Sequence, residues 1–271
     1  MPSSPKVSRT GFHARSVSLP SRPHRTVPEY DAILCRLKSS ESASSSSSSI
    51  RNNLASLQDL HDCLCSWMLF PETQQALAKQ CHGKWVDEVL DGSLRLLDVC
   101  GTAKESLSMT KECTQELQTS LRRKGSDAKE AGRYLVCRKA VKKLIQKVLR
   151  KQITTKEQDS FFVVSMLREV EQVTLSVLES LLSFVSGPKD KSLVSKLMNV
   201  SKSTCPETAN EFEQIDAAMQ SIVKHKASGI NNIQVDIADL GSSIQDLESG
   251  IDCLHRHLIK TRVTLLNILS N

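Results

Sequence analysis

Two groups of side chains in this chain have residue types that can do chemistry. The first is a cluster of histidine and cysteine: His61, Asp62, Cys63 and Cys65 stand together, with Cys81 and His82 downstream. A zinc site needs four ligands converging on a tetrahedron, usually as two pairs with two to four residues between the members. Cys63 and Cys65 are two residues apart, which on a helix is a rotation of about 200°, so they face opposite sides. His255 and His257 fail the same test. The cluster therefore reads as packing, and neither a metal nor a cofactor is expected. The sequence has no glycine-rich phosphate loop, no HExxH pair and no nucleophile elbow. No spacing pairs a serine nucleophile with a base, so the expectation is a protein that is not an enzyme.

The second group is cationic. The net charge is only +6, yet residues 121–151 hold twelve Lys and Arg against two acids. In the run 133–151 the residues Arg138, Lys139, Lys142, Lys143, Lys147, Arg150 and Lys151 crowd one side of a helix. Tyr134, Cys137, Val141, Leu144 and Val148 form the expected buried stripe on the other. Four uses of the cations compete. They form a solvated face balanced by acidic neighbours, or attract anionic lipid headgroups. They make a nuclear-import or nucleic-acid patch, or they are captured by a calmodulin-like partner, which requires the helix to leave its neighbours. No aromatic residues interleave with the cations to stack on bases, which counts against single-stranded nucleic acid. These seven cations are the candidate interaction surface. The partners it leaves open are proteins of unspecified identity and an anionic membrane surface.

What positions such a surface is legible in the apolar spacing. Ile230, Ile233, Ile237, Leu240, Ile244, Leu247, Ile251, Leu254 and Leu258 alternate spacings of three and four, and the series resumes at Leu265 and Ile268. Thr261 is its only polar member. The mean of 3.5 keeps all of them on one narrow stripe, which must lie against other helices. Ile at a with Leu at d is the pattern of a two-stranded coil, but the flanking positions include Gly241, Ser243, Gly250 and Thr264 rather than paired charges. The stripe is therefore expected to be filled mainly by the chain's own helices, with weak self-association left open.

The rest of the chain reads as helix after helix. Ile50, Leu54, Leu57, Leu64 and Trp67 make one stripe, ended by Pro71, which itself suits a first helical turn. A long helix from about Val86 carries Leu90, Leu94, Leu97, Cys100, Ala103, Leu107, Leu117 and Leu121 and stops at Gly125. The basic helix spans about 127–151. A capping box at Thr155 and Gln158 precedes Val163, Leu167, Val170, Thr174, Val177, Leu181 and Phe184, which end at Gly187-Pro188. A short helix at Leu193–Met198 follows. A second capping box, Thr204 with Glu207, opens a helix bearing Phe212, Ile215, Met219 and Ile222. The expected fold is all-α, a bundle of long antiparallel helices over residues 50–271. A short helix and Ser-rich linker (28–49) precede it, after a disordered basic tail (1–27) rich in Pro, Ser and Arg.

Nine cysteines at irregular spacing, with no apolar signal segment, read as reduced packing residues of an intracellular protein. The cytoplasm is the first expectation, and a nuclear or peripheral membrane site remains open. No apolar run approaches the ~20 residues of a membrane span, and secretion is not expected. The acid-free start has the composition of a transit peptide, but its prolines oppose the amphipathic helix such peptides form.

Longer stretches carry a resemblance. They are Ser18-Leu19-Pro20-Ser21-Arg22-Pro23-His24, the serine tract, Lys84-Trp85-Val86-Asp87-Glu88, and Leu94-Arg95-Leu96-Leu97-Asp98-Val99-Cys100-Gly101. Lys111-Glu112-Cys113, Arg138-Lys139 and the run Leu258-Ile259-Lys260-Thr261-Arg262-Val263-Thr264-Leu265-Leu266-Asn267-Ile268-Leu269 complete them. Together they resemble the plant-specific domain-of-unknown-function 241 family, grouped with the BYPASS-like regulators of root and shoot development. Arg25 departs from the tail motif, which usually continues with proline. The resemblance implies a non-enzymatic developmental role and supplies no catalytic residue, cofactor or ligand.

Overall fold

A computed structural model describes residues 26–40, 46–79, 83–124, 128–150, 162–187, 210–224 and 230–270. Its helices are α1 (Thr26–Ser40), α2 (Ser47–Met68), α3 (Pro71–Ala78), α4 (Trp85–Lys124), α5 (Ala128–Arg150), α6 (Phe162–Ser186), α7 (Glu211–Val223) and α8 (Ile230–Ser270). Among the described residues there is no strand, as the all-α reading expected. Residues 1–25 of the expected tail lie outside the described residues. So do the Thr155 and Thr204 capping boxes and the short helix at Leu193–Met198.

Helix ends follow local chemistry. Ser46 accepts the backbone N–H of Ser49 at 3.2 Å, so the last serines of the tract form the first turn of α2 behind a serine cap. Pro71 opens α3 within its first turn, where a missing N–H costs nothing. Gly187 closes α6 at φ 72°, a left-handed conformation that side chains disfavour.

The long C-terminal helix α8 is the axis of the molecule. Ile237, Leu240, Ile244, Leu247, Ile251, Leu254, Leu258, Leu265 and Ile268 are all buried, mainly against α4 and α2. One chain therefore covers the whole described stripe. The pairs Gln234–Leu121, Lys111–Glu248 and Arg262–Leu90 set α4 antiparallel to α8. Arg51–Asp246 and His61–Thr261 set α2 parallel to α8. The ion pairs Glu88–Arg168 and Arg95–Glu171 set α6 parallel to α4. With α5 antiparallel to α4, the bundle thus has α2, α5 and α8 running one way and α4 and α6 the other around one core. At Gly250 an added Cβ would meet the Leu54 side chain at 3.1 Å, and the same glycine's carbonyl accepts from Gln58 Nε2 at 3.1 Å. Of the small residues flanking the heptad, Gly250 permits this close approach of α2, whereas at Gly241 an added Cβ would meet nothing within 4 Å.

The α4 stripe departs from its expected position at one residue, and the α6 stripe does not. On α4 the residue Leu94 is 46 % exposed, while Leu96 and Val99 are buried. At about 100° per residue Leu94 lies opposite the core residue Ala103, so it faces water. On α6 the expected residues from Val163 to Phe184 are all buried.

Candidate functional site

The histidine of the Cys/His cluster is a structural part of the core. His61 is buried between α2, α6 and α8. Its Nε2 lies 3.1 Å from Thr174 Oγ1 and its Nδ1 lies 3.2 Å from Thr261 Oγ1. The Thr174 hydroxyl donates to the Val170 carbonyl at 2.7 Å, so it must accept from Nε2–H. Thr261 then donates to Nδ1, and the Cys65 thiol, 3.4 Å away, donates to Thr261. Both ring nitrogens are used, and neither is available to a metal. Among the described residues no group of three or more metal-ligating side chains occurs; Cys81 and His82 lie outside them. Burial pushes the Cys65 thiol up and the Cys100 thiol up to about 12, the reverse of what a nucleophile needs.

Burial lowers the His61 pKa to about 4, with the nearby His257 adding to the shift and Asp62 opposing it. The unfolded chain takes up this proton first. Stability is therefore fully present above about pH 6.5 and is lost as pH falls toward 4, by about 3 kcal/mol. Urea midpoints at pH 7 and pH 4.5 should show this loss, and His61→Leu should flatten it. An unchanged pH slope in the variant would remove His61 as the cause.

Nor are the described cysteines all reduced, as composition suggested. Cys113 and Cys137 form a disulfide between α4 and α5, with Cα atoms 6.7 Å apart and 24 residues of separation. The antiparallel hairpin brings the two positions face to face, within the range a disulfide spans. Loop-closure entropy for this separation makes the bridge worth about 3 kcal/mol. Cys113→Ser should lower the urea stability by that order, and an unaltered midpoint would show the bridge unformed in solution.

The basic helix is built differently from its expected pattern. Its buried centre is Ala131, Tyr134, Arg138, Val141 and Ile145, with Cys137 and Val148 partly buried against the core. Arg138 is therefore not on the cationic face: it is 1 % exposed. Its Nε donates to Asp216 Oδ1 at 2.9 Å and its Nη2 to the Val185 carbonyl at 2.7 Å. The guanidinium stands 5.1 Å over the Phe212 ring. Val185 belongs to the last turn of α6, whose carbonyls have no partner within the helix, so one arginine joins α5, α6 and α7. Asn210 assists: its Oδ1 caps α7 at Glu213 N and its Nδ2 donates to the Phe184 carbonyl at 3.0 Å. Lys142 is also engaged, its Nζ 3.0 Å from Asp216 Oδ2. The signal for Arg138 was its place in the run 131, 134, 138, 141, 145, which alternates three and four.

What remains is a narrower surface. Lys139, Lys143, Lys147 and Arg150 are exposed. None of them makes an ion pair with a described residue, whereas Arg133 pairs with Glu130 at 3.4 Å. Lys151 lies outside the described residues. At 100° per residue the four fall within about 80° of one another, a single stripe with a cation at each turn. Within that stripe stands Val136, which is 70 % exposed.

The match to a known family covers most of this framework: the family model described as Protein BPS1 matches residues 53–268. The chain belongs to the BPS1 family. The BPS1 match begins in α2 and ends in the last turn of α8, so it takes in the His61 node, the Arg138 clamp and the whole of α5. The family is one of non-catalytic plant developmental regulators. No curated protein and no solved structure matches the chain. No described helix is long and apolar enough to cross a membrane.

Two surface hollows each have a volume of about 300 Å³. One is lined by Leu69, Gln74, Gln75, Ala78, Thr264, Asn267 and Ile268. The other lies between α4 and α8, with Arg122 as its sole charged group. Neither brings an acid and a base together.

Proposed function

We propose that this member of the BPS1 family is a non-enzymatic binding protein that acts in root and shoot development by engaging a protein partner. The observation that carries the reading is the stripe Lys139, Lys143, Lys147 and Arg150, four exposed cations with no ion-pair partner among the described residues. Some surface charges elsewhere in the molecule pair across helix boundaries, as Lys111 with Glu248 and Arg51 with Asp246 do; the four cations of the stripe pair with no described residue. The stripe stands on a helix fixed by the Arg138 clamp and the Cys113–Cys137 bridge, so it is presented rigidly and its charge is available to a partner. His61, Thr174, Thr261, Arg138 and Asp216 are bonded to one another or to the backbone, which supports a structural role for them and binding over catalysis.

A second reading, a peripheral membrane adaptor, has the same cations in its favour, since a row of Lys and Arg attracts anionic headgroups. Both are tested by titrating the protein with poly-L-glutamate and with vesicles containing phosphatidylserine, at low and high salt. The protein-binding reading expects saturable binding to the acidic polypeptide that weakens at least about tenfold with salt and is lost when Lys139, Lys143 and Lys147 are reversed to Glu. These exposed changes leave folding nearly intact. Binding to the vesicles alone would replace it by the adaptor, and binding to neither would refute both.

A further inference from the structure

The hairpin that carries the basic stripe also carries its complement. On α4 the carboxylates Asp98, Glu105, Glu112 and Glu116 are all exposed, and none makes an ion pair with a described residue. Their spacings of seven, seven and four place them within about 40° around the helix. They occupy the outward face of α4, between the side that pairs Lys111 with α8 and the side that bonds Cys113 to α5. Cys137 marks the α4 side of α5, and the basic stripe is centred about 120° further round, on the side of that helix facing away from the core. The strip between the two rows holds exposed Ala140 and half-buried Leu144, while exposed Val136 stands within the basic row itself. From edge to edge the outer face of the hairpin reads acidic row, a narrow strip about Ala140, and a basic row that includes Val136. The rows are too far around their helices to neutralise each other within one chain, and both are left unpaired.

A face of that kind is self-complementary. Turned by a twofold axis, the basic row of one copy, with its Val136, meets the acidic row of the other at both edges, and the narrow Ala140 strips meet at the centre. This is the arrangement an isologous contact requires. We infer that the α4–α5 hairpin is a homodimerisation surface, in which Lys139, Lys143, Lys147 and Arg150 of one copy engage Asp98, Glu105, Glu112 and Glu116 of a second. The inference rests on reading the stripe as a protein-binding surface and names its partner as this chain. It also accounts for the exposure of Val136, which the bundle leaves uncovered. The acidic row beside the stripe would repel an anionic membrane or a nucleic acid, and a second copy turns that repulsion into attraction. Because exposed charges at this contact are screened by salt, the dimer is expected to be weak and salt-sensitive.

The test is sedimentation equilibrium of the full chain at 50 mM and 500 mM salt. The parent should be a concentration-dependent dimer at low salt, with an affinity at least about tenfold lower at high salt. Reversing Lys139, Lys143 and Lys147 to Glu gives a face with two acidic rows. Reversing Glu105, Glu112 and Glu116 to Lys gives one with two basic rows. Each variant alone should be monomeric with the circular dichroism of the parent, and an equal mixture of the two should form a heterodimer. A parent that stays monomeric at low salt overturns the inference, as does a mixture that fails to associate. If the parent is monomeric while poly-L-glutamate still binds it and not the lysine-reversed variant, the stripe binds another acidic protein. The binding reading then stands and only the self-partner falls. Dimers that survive both reversals would lie on a different face, and would also overturn it.

Discussion

Leu247→Asp should unfold the domain. Leu247 has no exposed surface and sits at the middle of the α8 stripe, against helices of its own chain. The substitution removes a packed leucine, worth about 2–5 kcal/mol, and places a carboxylate where it must stay neutral or remain unpaired at a cost of several more. Domains of this size have a total stability of only about 5–15 kcal/mol. Far-UV dichroism and urea titration should show a chain largely unfolded at 25 °C. A variant that melts like the parent and has merely lost an oligomer would mean that α8 pairs between chains.

Asp216→Ala should be the next most damaging change, although it is a small one in volume. It leaves the Arg138 guanidinium buried with only the Val185 carbonyl and the Phe212 ring for company. It also releases Lys142, which shares the same carboxylate. Removing one partner of a buried ion pair costs about 3–5 kcal/mol, while replacing both by apolar residues of similar volume is often neutral. Asp216→Ala should therefore fall by about that amount in urea titration, and the double variant Arg138→Met, Asp216→Leu should recover most of it. A loss below about 1 kcal/mol for Asp216→Ala would show that the clamp does not hold α7 to α5 and α6.

Legibility from the sequence depended on how local the cause was. The α8 and α6 stripes were readable because a repeat of 3.5 is a property of one segment, and the Gly187 stop is a property of one residue. Leu94 leaves the stripe because leucines spaced by three and four drift around the axis of a 40-residue helix; eleven residues later the same face holds exposed Glu105. Arg138 was assigned to the cationic face by its charge, although its position belonged to the buried run. Its partner Asp216 is 78 residues away, so nothing nearby in sequence announced the pair. The Cys113–Cys137 bridge depends on the register of the α4–α5 hairpin, which spacing alone does not set. Thr261 is the informative exception: the only polar member of the heptad is the residue that bonds His61. The acidic row on α4 was hidden for the same reason as Leu94, since it appears only once the outward face of that helix is known.

The central claim is that this BPS1-family protein acts through the exposed cations of α5, while the buried chemistry only holds them in place. The most direct measurement is root growth in plants that lack the protein and express either the parent or the Lys139, Lys143 and Lys147 to Glu variant from the native promoter, at matched abundance. The account predicts that the parent restores growth and that the variant, folded and equally abundant, does not. Full restoration by the variant would contradict it.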